Sequence, residues 1–290
     1  MNAMNTSEVP FITSILHPTD FSPASGKAFA HALAIALLRQ TEFTILNVGN
    51  NKSDGSEWKQ FPAVRKTLER WGLLEKDSPQ SAVFDQLGVS VIKTTTVGTN
   101  KTSAILKYLD SNPIDLAVLA TEGREGLPRW INRSKAEAIA QVSNTITLFV
   151  PEEGKSFIHL EDGDISLKCI LVPIDRQPSP NAAIIYATRA AQTLGVDTIV
   201  EIILLHVGTD DTVLDLDLPE NSAWKFKKEV RQGEPVEEII NAANQFSADA
   251  IFMATAGHEG ILDAMRGSIT EQIVRKAPCP LAAIPQSWSK

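Results

Sequence analysis

The chain carries a long internal repeat, and this restricts its fold more than any other feature. ILHPTDFSPASGKAFAHALAIA, beginning at Ile15, is matched by ILVPIDRQPSPNAAIIYATRAA, beginning at Ile170, so Asp20 corresponds to Asp175 at an offset of 155 residues. Further on, TTTVGTNKTSAILKYLDSNPIDLAVLATEG is matched by KEVRQGEPVEEIINAANQFSADAIFMATAG, and Ser134 corresponds to Ser268 at an offset of 134. Each half closes on a short apolar run, TITLFVP and CPLAAIP. A repeat of this length implies a duplicated domain, because solenoid units are shorter, roughly 20–50 residues. The fall in offset means that about twenty residues are missing from the middle of the second half. EWKQFPAVRKTLERWGLL has a helical pattern in the first half, whereas TDDTVLDLDLPENS offers at most a turn or two in the second.

Both halves alternate between apolar runs and amphipathic stretches. Strands are predicted at 11–16, 43–48, 90–96, 115–120 and 145–150, then at 168–174, 199–207, 225–231, 249–254 and 281–285. Helices are predicted near 23–39, 57–74, 101–110 and 134–141, then near 180–194, 236–246 and 268–276. Apolar strands separated by helices fit a parallel sheet covered on both faces, an α/β fold. The expected division is 1–152 and 166–290, with 153–165 as an exposed linker that forms a small hairpin around FIHL.

Composition narrows the classes of function. Lys and Arg total 27 against 35 Asp and Glu, a formal charge of -8, which argues against a general nucleic-acid binder. Cys169 and Cys279 lie beside apolar segments and are read as buried free thiols. MNAMNTSEVP shows no secretory pattern, and no apolar run approaches the length of a membrane span, so a cytoplasmic protein is expected.

Ligands of open parallel sheets bind beyond the carboxyl ends of the strands. Two features fall there in each half: the aspartate after the first strand, Asp20 or Asp175, and the glycine-bearing segment after the fourth. In ATAGHEGILDAMRGS, Gly257 follows the strand and Gly267-Ser268 opens a helix. Glycine lets backbone amides approach an anion, and a helix start presents unpaired N–H groups with a favourable dipole. Ser268 either donates to phosphate or caps its own helix with Glu271 three residues on, and spacing does not choose between these roles. In the copy ATEGREGLPRWINRS, Arg133 replaces the glycine before Ser134, exchanging a backbone cradle for a long cation. Asp20 and Asp175 fit either a contact to a nucleoside or local capping of their own loops. His258 beside Glu259 does not converge as a metal site requires. His206 with Asp210 or Asp211 is a minor metal or proton-transfer candidate. The chain has neither a GxxxxGK[ST] run nor a GxSxG elbow.

On ILHPTDFS and ILVPIDRQ, VGTNKTSAIL with DLAVLATEG, RQGEPVEEII with DAIFMATAG, and RGSITEQIVRKAPCPLAAIP, the chain resembles the universal stress protein family in its tandem two-domain form. The resemblance implies two tandem Rossmann-like domains, each a five-stranded parallel sheet of order 3-2-1-4-5, the second with a shortened crossover between its second and third strands. One branch of that family binds ATP, with a divalent ion such as Mg²⁺, through a pattern of glycine, two residues, glycine, nine residues, glycine, then serine or threonine. Ala254, Gly257, Gly267 and Ser268 fall on those positions in the second half, and Ala120, Gly123, Arg133 and Ser134 in the first. The adenine-contacting aspartate corresponds to Asp20 and Asp175. The resemblance therefore implies a stress-response protein that binds an adenine nucleotide chiefly in its second half and hydrolyses it weakly at most. The alternative it leaves is an interaction protein without nucleotide, and a less favoured one is an enzyme on a related fold. It also implies that the final strands, 145–150 and 281–285, pair across an internal pseudo-dimer axis, with a protein partner or a homodimer beyond that.

Overall fold

The computed structural model describes residues 12–49, 56–121, 145–195, 198–209, 215–256 and 269–289. The first half contains β1 (Ser14–Thr19), α1 (Pro23–Arg39), β2 (Glu42–Gly49), α2 (Val64–Arg70), α3 (Ala82–Leu87), β3 (Ser90–Val97), α4 (Lys101–Ser111), β4 (Leu116–Thr121) and β5 (Ile146–Pro151). The second contains β6 (Cys169–Pro173), α5 (Asn181–Leu194), β7 (Val200–Val207), β8 (Trp224–Arg231), α6 (Pro235–Gln245), β9 (Ala250–Thr255), α7 (Ile269–Lys276) and β10 (Leu281–Pro285). The strands form one ten-stranded sheet of order β3-β2-β1-β4-β5-β10-β9-β6-β7-β8. Each half is parallel with the order 3-2-1-4-5. The halves meet through one antiparallel pair, in which Phe149, Leu148 and Thr147 face Leu281, Ala282 and Ala283. The pairing expected of the final strands is therefore present within the chain.

The central strands are apolar along their whole length because both faces are covered. One core lies under α1, α2, α3 and α5 and runs unbroken across the seam, from Phe43 and Leu33 to Ile184 and Ile202. The other lies under α4, α6 and α7, with Ile105, Leu109, Ile239 and Ile273 against Leu16, Phe149 and Leu281. Helix α1 begins where the Ser22 hydroxyl accepts from the Ser25 amide and Pro23 occupies the first turn, and it stops at Gln40, which adopts a left-handed conformation. Among the described residues, no helix is long and apolar enough to cross a membrane.

Two aspartates at the amino edge of the sheet tie each half to itself. Asp115 Oδ2 accepts from the amides of Thr13 at 2.7 Å and Ser14 at 3.1 Å. Asp249, its repeat counterpart, accepts from Lys168 at 2.8 Å and Cys169 at 3.0 Å. The first helices are locked in parallel fashion. Phe157, which follows β5, packs edge-on against His31 of α1 at 4.6 Å. Trp288, which follows β10, packs edge-on against Tyr186 of α5 at 5.7 Å, and Tyr186 is the repeat counterpart of His31.

Three local expectations need correction. The helix predicted over 57–74 is a short turn at Ser56–Lys59 followed by α2. Pro62 lacks an amide donor and disfavours helical backbone at Phe61, so the two pieces cannot join. The strand predicted at 11–16 lies instead at Ser14–Thr19 and runs on past Leu16, because the His17 side chain finds partners inside the protein. The linker is not an exposed tether: Phe157 and Ile158 are 3% and 1% exposed. Burying two large apolar side chains outweighs leaving the strip in solvent. The hairpin itself is present as a bridge between Ile158 and Ile165. Arg70 and Trp71 donate to the Leu160 carbonyl at 2.9 and 3.1 Å and dock the hairpin on the first half. Lys155 reaches Asp249 in the second at 2.9 Å. In the shortened crossover, residues 215–223 contain no helix, and Leu216 and Leu218 pack onto the core.

Candidate functional site

In each half, the first two strands end in a brace built from a side chain and a carbonyl. Asn47, buried near the end of β2, donates from Nδ2 to the Thr19 carbonyl at 2.8 Å. His206, at the matching place on β7, is 4% exposed, and its Nδ1 lies 3.3 Å from the Ile174 carbonyl. A carbonyl only accepts, so Nδ1 carries the proton. His206 therefore performs the task of Asn47, which accounts for its placement without a metal. Asp210 and Asp211, weighed with it as a metal or proton-transfer candidate, lie outside the described residues, as do His258 and Glu259. Among the described residues, no group of three His, Cys, Asp or Glu side chains could hold a metal ion.

The loop after β1 is fixed from inside by His17. This residue is fully buried, with Nδ1 3.0 Å from the Val118 carbonyl and Nε2 3.1 Å from Ser25 Oγ. The Ser25 and Thr19 hydroxyls lie 2.9 Å apart, and Thr19 Oγ1 accepts from the Phe21 amide at 3.1 Å. One chain of hydrogen bonds thus runs from β4 through His17 to the turn that carries Asp20. Burial pushes the His17 pKa down to about 4, which keeps the ring neutral.

Asp20 sits half-buried on this turn, where Oδ1 accepts from the Ser22 amide at 3.0 Å. With Pro18, Thr19, Leu46, Val48 and the α4 residues Lys101 and Ile105, it lines a shallow depression with no room for a water molecule. Asp175 is exposed, and its Oδ1 accepts from the Arg176 amide at 2.6 Å. Both aspartates therefore do the loop-capping work that was one of their two readings, and both stand at the carboxyl edge of the sheet. Gly98, at the end of β3, passes close under α4: a Cβ there would lie 2.8 Å from Ala104 Cβ, so no side chain fits without displacing the helix.

Ala254 lies in β9 paired with Ile284, and it is half-buried against the core, as Ala120 is in the first half. Gly123, Arg133, Ser134, Gly257, Gly267 and Ser268 lie outside the described residues. Their flanks are placed. β9 ends at Thr255 on the carboxyl edge, and α7 starts at Ile269, so the glycine-bearing segment connects a strand end to a helix start. In α7, Glu271 is buried and paired with Arg275 one turn on. Sequence reasoning missed the two braces and the His17 chain. Their signal was only the pairing of LNVG with LHVG at matched places in the repeat.

A tandem, doubly covered sheet in which each half runs parallel in the order 3-2-1-4-5 defines the Rossmann-like class of α/β proteins. The model of the Universal stress protein family matches residues 12–151 and 215–285, well over half of the chain, and the protein belongs to that family. Among curated relatives, a universal stress protein of Methanocaldococcus jannaschii is 31% identical over 67 residues, 23% of this chain and 39% of the relative. One of Methanothermobacter thermautotrophicus is 35% identical over 63 residues, 22% of this chain and 42% of the relative. These matches span about two fifths of the relatives' length. A solved universal stress protein from Archaeoglobus fulgidus shares the fold over 94% of this chain and 98% of its own, with 18% identity and a TM-score of 0.61.

Proposed function

We propose that the chain is a cytoplasmic stress-response protein that binds ATP or another adenine nucleotide, chiefly through its second half, and couples occupancy to its conformation or to a protein partner. The observation that supports this reading is that β9 ends at Thr255 on the carboxyl edge of the sheet and that helix α7 follows from Ile269, with the glycines between them in sequence. In sequence Gly267-Ser268 comes just before that helix, and the first amides of a helix lack intrahelical partners, the ordinary way an α/β fold holds phosphate. In this reading Gly257, Gly267 and Ser268 hold phosphate, accompanied by Mg²⁺, and Asp175 meets the nucleoside. The first half is the weaker site, with Asp20, Gly123 and Ser134 in the corresponding roles and Arg133 where the cradle needs glycine.

A second reading is an interaction protein that binds no nucleotide. It is favoured by the alanines at 120 and 254, whose methyl groups are used in core packing. Titration calorimetry with ATP, with and without Mg²⁺, separates the two. The wild type is expected to bind, and Gly267→Arg, which copies the first half, to bind at least about tenfold more weakly. Equal binding by both proteins refutes the placement of the site. No binding by either supports the interaction protein.

A further inference from the structure

A second cavity lies on the face of the sheet covered by α1 and α5. It measures about 540 Å³, within the roughly 300–1,000 Å³ range of small-molecule pockets. Its floor is the seam between the halves, formed by Ile146 and Leu148 of β5 and by Ala282 and Ile284 of β10. Its walls are the C-terminal turns of α1 and the outer face of α5.

The repeat explains how this space arises. Leu148 faces Ala282 across the antiparallel seam and is also its repeat counterpart. Ile35 on the α1 wall corresponds to Ala190 on the α5 wall. At both places the second half substitutes a methyl group for a branched side chain. Strict repetition would bring larger side chains toward the axis from both sides. The result is an apolar cavity, open to solvent, with room for a small ligand.

The polar groups of the cavity set the chemistry of that occupant. Arg39, in the last turn of α1, and Arg189 of α5 both line it, in a chain whose net charge is -8. Arg189 also lies 5.6 Å from the Tyr186 ring. Burial lowers the Arg189 pKa; Tyr186, which is hydrogen-bonded to Arg189, opposes the shift, and the Arg39 cation adds to it. Two arginines on the walls of one apolar slot complement an anion attached to an apolar tail, because carboxylates accept paired N–H donors from arginine.

The geometry points to a binding site for a free medium-chain monocarboxylate, its tail along the seam floor and its carboxylate held by Arg39 and Arg189. This site is independent of the nucleotide reading and shares no residue with it. The test is calorimetric titration of the full chain with decanoate and, separately, with decyltrimethylammonium, which has the same tail and the opposite charge. Decanoate is expected to saturate one site per chain, and the cation to bind at least about tenfold more weakly. The double substitution Arg39→Gln with Arg189→Gln is expected to weaken decanoate about tenfold or more. Thr193→Trp introduces a large ring from an exposed position on the cavity wall and is expected to abolish binding without disturbing the core. Ala282→Leu should do the same from the floor, and thermal melts verify that each variant is folded. Gly267→Arg is expected to leave decanoate binding unchanged. Absence of saturable binding, equal binding of the two probes, or undiminished binding by Thr193→Trp each overturns the proposal.

Discussion

His17 and His31 have no surface exposure, and burial, the dominant cause for both, pushes each pKa from 6.5 down to about 4. For His17, the Val118 carbonyl and the charge of Asp20 oppose the shift without cancelling it. For His31, the Lys27 carbonyl opposes it and the Lys27 charge adds to it. In the unfolded chain both rings take up protons as the pH falls through 6.5, whereas in the folded chain they stay neutral until about pH 4. Protonation therefore favours the unfolded state throughout that window. Stability is fully present above pH 6.5 and falls as the solution is acidified toward pH 4. Between pH 7.0 and 5.5, linkage gives a loss of about 1.2 kcal/mol per histidine, or about 2.5 kcal/mol for the pair. The repeat supplies replacements that do not titrate in this range: Val172 stands at the place of His17, and Tyr186 at that of His31. Urea denaturation of the wild type and of the double variant His17→Val, His31→Tyr, at pH 7.0, 6.25 and 5.5, isolates the effect. The variant's absolute stability is free to change, because only the slope with pH is read. The wild-type slope is expected to exceed the variant's by an amount that totals about 2.5 kcal/mol over the interval. Equal slopes would refute the assignment of buried neutral rings.

Two further outcomes are expected. Asp249→Ala removes the acceptor of two amides and the partner of Lys155, and should lower stability by about 3 kcal/mol, read as a shift in the urea midpoint. A shift below about 0.5 kcal/mol would show that water replaces the carboxylate at the sheet edge. Burial, reinforced by the charge of Asp249, pushes the thiols of Cys169 and Cys279 up to about 12. Iodoacetamide at pH 8 should therefore leave both unmodified in the native protein and alkylate both in guanidinium, as mass spectrometry would show; rapid native labelling would contradict their burial.

The parts of the fold that repeat a local pattern were legible in the sequence. Helix α1 is predicted at its observed bounds because Ser22, Pro23 and a long alanine-rich stretch all act within a few residues of one another. The pairing of the last strands was legible through the family resemblance. The helix over 57–74 failed on Pro62, a local signal that its surrounding charge pattern masked. The burial of Phe157 and Ile158 failed for a different reason: in sequence they stand among Lys, Ser and acidic residues, and only His31 and the core above the seam make a place for them.

The candidate site divides along the same line. Glycines and a serine before a helix are a chemical pattern that residue order alone displays, so Gly257, Gly267 and Ser268 can be named as candidates, and Arg133 can be seen to break the pattern, without coordinates. The roles of His17, Asn47 and His206 cannot be seen that way, because their partners lie on neighbouring strands; Val118 is 101 residues from His17. The cavity at the seam is still less visible. It exists because an antiparallel pair brings Leu148 opposite Ala282, and because two helices more than a hundred residues apart form its walls. Sequence by itself determined the alternation of strand and helix, the duplication and the candidate phosphate cradle, since each follows from backbone propensity and short-range spacing. Tertiary structure alone decided which polar groups are neutralised inside and where space is left open, since burial and voids are properties of contacts between distant parts of the chain.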